Sequence, residues 1–216
     1  MSAPSGEHAQ LRLAAQRFSL ELSEHQVEAL ERYLDLLLRW RSFARLVSRR
    51  QTRTEIIRKH VADSFAVVEH LTKCRRIADI GSGAGFPGIS IAIALSDSRI
   101  TLVEPNRRKA NFLREVVRTL SLTNVSVVET RAEDAVIEAD AAVSRAVWPL
   151  AELLDRVRDL VVPGGLVVAM KGPTIEVELA EVETDAYGFS IESKITYGLK
   201  SGEQRVLVLL RRQRST

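Results

Sequence analysis

Four of the chain's eleven glycines fall in one eight-residue window, Gly81-Ser82-Gly83-Ala84-Gly85-Phe86-Pro87-Gly88, directly after the apolar run Ile77 to Ile80. Glycine turns through left-handed backbone angles and lets backbone approach a ligand closely, so the window specifies a tight strand-to-helix turn. The chain after Arg76 continues that βα rhythm. Strands are predicted at Ile77 to Ile80, Ile100 to Glu104, Val125 to Glu129, Ala141 to Ser144 and Leu166 to Met170. Helices are predicted to begin after Pro87, Pro105, Pro149 and Pro173, each near a first turn where a missing N–H costs nothing. Such alternation implies a mostly parallel sheet with helices on both faces.

The two ends depart from the rhythm. Residues 1–74 read as a helical region leading into a domain over 75–216. Val27, Leu30, Leu34 and Leu37 share a helical stripe, Ser23 and Gln26 are spaced as a capping box, and a second helix is predicted over Thr54 to Leu71, burying Ile57, Val61, Phe65 and Val68. At the other end Phe189 to Thr196 and Val206 to Leu210 flank a turn-like stretch with no room for a helix, which predicts an antiparallel hairpin. The expected fold is α/β and Rossmann-like, a sheet of six or seven strands ending in that hairpin.

The glycine window holds two overlapping motifs. Gly83, Gly85 and Gly88 make the G-x-G-x-x-G of dinucleotide binders, while Gly81, Gly83 and Gly85 make G-x-G-x-G. Either register places Glu104, at the end of the second strand, where an acid takes a ribose hydroxyl. A pyrophosphate needs amide donors and no nearby anion, yet Asp79 precedes the first glycine by two residues and Pro87 removes a donor. S-adenosyl-L-methionine carries a sulfonium and an ammonium instead, so Asp79, Gly81, Gly83 and Gly85 suit that methyl donor better. A methyltransferase acting on transfer RNA, protein or a small molecule is the runner-up to any single substrate, and an NAD-dependent oxidoreductase and a non-catalytic RNA-binding module remain as competing readings.

Charge adds a second pointer. The chain is only +3 overall, but Arg39 to Lys59 holds eight basic residues against Glu55 alone, which makes that segment +7 on a −4 body. A localised basic patch suits a polyanionic partner. Cys74 is the only cysteine, expected to be buried and inert; no disulfide within the chain is possible, no apolar run approaches a membrane span, and Met1 to Gln10 is polar, so a cytoplasmic protein is expected. His8, His25, His60 and His70 show no metal-ligand spacing.

In open α/β sheets ligands bind beyond the carboxyl ends of the strands, which directs attention to Glu104, Arg131 to Asp134, Ser144-Arg145-Ala146 and Lys171-Gly172-Pro173. No Asn/Asp-Pro-Pro-aromatic sequence follows the fourth strand, so exocyclic-amine methylation is disfavoured, and Cys74 lies away from these ends, against a thiolate mechanism. His60, Asp63 and Ser64 imitate a nucleophile triad, but three members on one helix face do not form triad geometry.

These residues resemble the bacterial small-subunit (16S) ribosomal RNA guanine-N7 methyltransferases of the GidB or RsmG type. The resemblance runs from about Leu46 to Leu209 and rests on Arg58 to Ser64, Asp79 to Gly88, Glu129-Thr130-Arg131-Ala132-Glu133, Ser144-Arg145-Ala146 and Lys171-Gly172. It implies that Gly81 and Phe86 line the donor pocket, that Glu104 lies near the ribose, and that Ala132 and Glu133 flank the adenine. Arg145 would stand at the junction of donor and substrate, joined by Arg131, as the catalytic pair. Arg45, Arg49, Arg50, Arg53, His60 and Lys171 are the expected contacts to RNA, on a small ribosomal subunit met by a monomer that needs no metal. One departure is visible: the family commonly has Asn-Leu-Thr where this chain has Arg45-Leu46-Val47.

Overall fold

The structure, a computed structural model, describes residues 6–145 and 147–214; Ala146 of the Ser-Arg-Ala sequence lies outside the described residues. The chain opens with α1 (Gly6–Gln16) and α2 (Glu24–Ala44). Ser23 and Gln26 close the expected capping box on α2, and the Gln26 amide reaches on to the carbonyls of Ile93 and Ala94, so the cap also anchors the helix to the body. Arg45 ends α2 with a left-handed φ of 51°. Asparagine tolerates that region better than most residues, which gives a physical reason for the asparagine of the resembled family.

The single helix expected over Thr54 to Leu71 is broken. α3 (Arg53–Ile56), capped by Thr52 and Glu55, runs into a π-helical turn (Ile57–Val61), then α4 (Ala62–Phe65) and α5 (Val68–Leu71). Ile57, Val61, Phe65 and Val68 are buried as expected. The Ser64 hydroxyl donates to the carbonyl of His60 within the widened turn. π-Turns are frequent at functional sites, and this one carries Lys59 and His60.

The remainder alternates β1 (Arg76–Ile80), α6 (Gly88–Ala94), β2 (Arg99–Val103), α7 (Arg107–Leu120), β3 (Val125–Val128), β4 (Ala139–Arg145), α8 (Leu150–Val157), β5 (Val161–Lys171), α9 (Ile175–Glu181), β6 (Phe189–Gly198) and β7 (Gln204–Arg212). The sheet order is β3-β2-β1-β4-β5-β7-β6; β1 to β5 are parallel, and the β6/β7 hairpin enters antiparallel with β7 against β5. β5 starts earlier than Leu166, and β4 extends through Arg145, so Ser144 and Arg145 belong to the strand end rather than to a loop after it. The N-terminal helices share one apolar core with one sheet face, through Leu30, Leu34, Ile57, Phe65, Ile89, Val143 and Leu209. Helices α8 and α9 cover the other face.

Cys74 is half-buried rather than fully buried, and burial together with the Asp140 charge pushes its thiol pKa up, which disfavours the reactive thiolate. The order reverses direction between β1 and β4, which puts the switch-point crevice at the end of the glycine window.

That crevice depends on close backbone approach at Gly88, where a Cβ would lie 2.3 Å from Leu102 and 2.4 Å from the Asp79 carboxylate. Gly88→Ala is expected to destabilise the fold by about 1–3 kcal/mol, read as a lower urea midpoint; an unchanged midpoint would contradict the packing.

Candidate active site

The glycine loop is built by its own backbone. Gly81 and Ser82 amides donate to the Val103 carbonyl at 2.9 and 3.2 Å, and Gly81, Gly83 and Gly85 take φ of 73°, 57° and 94°. At Gly85 a Cβ would meet Ile89 at 2.7 Å, so glycine is required there for space as well as angle. Asp79 lies under the loop, 1% exposed, accepting the Gly88 amide at 3.0 Å. Burial pushes its pKa up from 3.8 to about 7, against the opposing pull of the Gly88 and Ser82 hydrogen bonds. The first amide of α6 is thus already taken by a carboxylate, which is the arrangement a pyrophosphate would not tolerate.

Glu104 is buried at the end of β2, with its two oxygens accepting the amides of Gly83 (2.8 Å) and Asn106 (2.9 Å). It therefore holds the loop, and its remaining lone pairs suit sugar hydroxyls. Beside it opens a cleft of about 320 Å³ lined by Gly81, Val103, Pro105, Arg131, Ala132, Glu133, Trp148 and Arg156. Arg156 stacks over the Trp148 ring at 5.2 Å and ion-pairs with Glu152 and Glu133, holding the Glu133 carboxyl below its usual range. Trp148 and Arg156 escaped the sequence reading, since a ring and a cation eight residues apart carry no motif. A cleft of mixed polarity, with a tryptophan in its lining, Glu133 at its edge and Glu104 beside it, suits an adenosine, and a loop guarded by Asp79 suits a cationic amino-acid end, so these residues fit S-adenosylmethionine.

A second cluster stands at the end of β4. The Arg145 guanidinium lies 5.3 Å over the Phe86 ring, 3.2 Å from His60 Nδ1 and 3.5 Å from Asp63 Oδ2. His60 itself stacks on Phe86, with ring centroids 5.3 Å apart, and Tyr33 packs against Phe86 while donating its hydroxyl to the Ala84 carbonyl. Buried Asp63 accepts the Tyr197 hydroxyl at 2.6 Å and has Arg205 Nε at 3.9 Å. Burial first, then the charges of Arg145 and Lys59, lowers the His60 pKa from 6.5 to about 3. The ring is neutral, and because arginine only donates, Nδ1 accepts from Arg145 and Nε2–H faces Gln51 Oε1. Burial and the Asp63 charge push the Tyr197 pKa up, so it stays a phenol and a donor.

Other expected residues are placed differently. Lys171 is buried, with its ammonium on the Trp148 carbonyl (2.6 Å) and Glu178 (2.8 Å), behind the cleft. Arg53 is held by Glu7, Asp35 and the Glu31 carbonyl. Arg53 and Lys171, both expected at the RNA, are thus held in ion pairs within the chain rather than presented as free cations. The charges of the basic segment are not equally free: Lys59 pairs with Glu203 and Arg41 donates to the Gln51 carbonyl, whereas Arg45, Arg49 and Arg50 are exposed. Arg131 is exposed on the donor cleft, apart from the groups that hold Arg145. Ser64 bonds to backbone, not to the His60 ring, so no nucleophile triad forms. Among the described residues no group of three or more His, Cys, Asp or Glu is arranged to hold a metal ion.

The sheet order and the guarded glycine loop define a Rossmann-like methyltransferase. The solved structures that share the fold include M. jannaschii TYW2 in complex with AdoMet (TM-score 0.56, 16% identity, 71% of this chain and 77% of that one) and the Pyrococcus abyssi Trm5b (TM-score 0.57, 12% identity, 71% and 49%). Residues 26–208 match the family described as GidB, rRNA small subunit methyltransferase G. Curated relatives named ribosomal RNA small subunit methyltransferase G include that of Chromobacterium violaceum, 42% identical over 76% of this chain and 79% of that protein, and that of Desulfitobacterium hafniense, 36% identical over 97% and 92%. The chain belongs to the rRNA small subunit methyltransferase G family, and S-adenosylmethionine is its cofactor.

Two measurements check the electrostatics. His60 is expected to show no titration between about pH 5 and 8 by NMR; a midpoint near 6.5 would contradict its burial against Arg145. For Asp79, a folded pKa raised to about 7 means stability present below pH 3.8 and lost as pH rises toward 7. Asp79→Asn, which keeps the acceptor for Gly88, is expected to be more stable than the parent at pH 8 while binding S-adenosylmethionine more weakly. Loss of stability with unchanged affinity would assign Asp79 to the fold alone.

Proposed function

We propose that the protein transfers the methyl group of S-adenosylmethionine to N7 of a guanine in 16S ribosomal RNA, with Arg145 as the residue that meets the base. Guanine N7 presents an in-plane lone pair and no proton at neutral pH, so the reaction needs no general base. The observation that carries the reading is the Arg145 cluster: a guanidinium fixed against Phe86 by Asp63, beside a histidine whose imidazole is kept neutral and already hydrogen-bonded.

When bound, S-adenosylmethionine supplies an electrophilic sulfonium methyl. The chain's contribution is alignment, an effect of up to about 7–11 kcal/mol. Positive charge passes to the base during transfer, so a cation aimed at N7 would oppose it. Arg145 therefore serves guanine O6 or a phosphate oxygen, where a fork of N–H donors is favourable. His60, held neutral, adds no second cation beside the base and orients Arg145 through Nδ1. Phe86 gives both groups one apolar wall. Glu104, Ala132 and the loop of Gly81 to Gly85 hold the donor, with Asp79 favouring its cationic end; Arg131 borders the same cleft. Arg45, Arg49 and Arg50 are exposed for contact with RNA phosphates. The proposed partner is the small subunit or its 16S rRNA, met by a monomer in the cytoplasm.

Transfer of tritium from labelled donor into small ribosomal subunits, with transfer RNA and bulk protein as competing acceptors, tests the substrate. Strand scission at N7-methylguanine in the recovered 16S rRNA tests the atom. Arg145→Ala is expected to abolish transfer while donor affinity falls only a few-fold; full activity in that variant would refute the assignment.

A further inference from the structure

The carboxyl end of α2 and the start of α7 meet around an exposed aromatic that the reaction does not use. Phe43 is 64% exposed. It is held in place from below: Trp40 meets it edge-on at 5.7 Å and is itself packed on buried Phe112 at 6.0 Å. The Arg108 guanidinium lies 5.8 Å from its ring centre. Arg39 is one helical turn before Phe43 and Arg45 two residues after it, and Arg107 adjoins Arg108; all are exposed, and none of these four arginines has an ion-pair partner among the described residues. An open ring fixed among exposed, unpaired cations is complementary to a ligand that carries both negative charge and a π-face, and a single-stranded nucleic acid offers both.

Its position fits the reaction site. Arg108 follows Glu104 by four residues, so the ring stands on the same carboxyl rim of the sheet as the donor cleft. Along α2, Phe43 is ten residues from Tyr33, about 15 Å at helical rise, and Tyr33 touches the Phe86 wall of the Arg145 cluster. We propose that Phe43, with Arg108, is a stacking platform for an unpaired base of the substrate RNA, a short distance along the strand from the nucleotide presented to Arg145. The proposal rests on the reading of the protein as an RNA methyltransferase and adds a contact that grips the strand rather than reacting with it.

The test uses the full chain, a labelled short single-stranded oligoribonucleotide followed by anisotropy at several salt concentrations, and methyl transfer to purified small ribosomal subunits. Phe43→Ala is expected to weaken oligonucleotide binding about tenfold with the salt dependence unchanged, and to raise KM for small subunits at unchanged kcat. Phe43→Tyr is expected to restore both. Arg108→Gln is expected instead to flatten the slope of log affinity against log salt by about one unit or slightly less. Wild-type affinity in Phe43→Ala overturns the platform and leaves the exposed ring to another partner, such as a protein. Failure of Phe43→Tyr to restore binding also overturns it, since that would mark a packing defect. The parent's own transfer to small subunits is the separate arm: its absence refutes the substrate reading, whereas anisotropy decides the stacking.

Discussion

The Asp63 carboxylate joins the N-terminal helices, the end of β4 and the terminal hairpin at one buried point. It sits in the helical segment just after the π-turn, accepts the hydroxyl of Tyr197 from β6, and lies against Arg145 at the end of β4 and Arg205 on β7. A buried charge is tolerated only where partners and hydrogen bonds offset its desolvation. Here those partners are the terminal hairpin and the strand end that faces the donor cleft. The lattice thereby fixes the N-terminal helices against the carboxyl rim of the sheet and fixes the Arg145 guanidinium over Phe86.

The donor side is organised on the same principle, with carboxylates turned inward onto backbone. Asp79 takes the first amide of α6, and Glu104 takes the amides of Gly83 and Asn106. Both hold the glycine loop in a shape that only residues free to adopt positive φ can follow. They also make the crevice hostile to a pyrophosphate and favourable to a cationic ligand. Lys171 extends the arrangement by gripping the Trp148 carbonyl, so the ring that borders the cleft is set from behind by β5. Its role in the structure is therefore support of the cleft.

Much of this was legible in the sequence where the signal is local. The glycine window, the apolar runs, the proline-marked helix starts and the Ser23 cap each report chemistry within a few residues, and the parallel sheet with its terminal hairpin followed from them. The Thr52-x-x-Glu55 box was equally legible and marks the start of α3 more closely than the periodicity did. The π-turn was not legible, because Ile57, Val61 and Phe65 face the core whether the turn is widened or regular. Nor were the pairs that decide which cations are free: Arg53 with Glu7, Lys59 with Glu203, and His60 with Arg145 lie 46, 144 and 85 residues apart. A charge count along the chain therefore found a basic segment but could not tell which of its charges are paired within the fold.

The central claim is that Asp63 acts on methyl transfer through Arg145. Single-turnover transfer to small ribosomal subunits, compared for Asp63→Asn, Arg145→Gln and the double variant, tests it as a double-mutant cycle. The double variant is expected to be no slower than Arg145→Gln alone, a coupling of about 1–3 kcal/mol, with donor affinity little changed in Asp63→Asn. Additive losses, or an Asp63→Asn variant as fast as the parent, would contradict it.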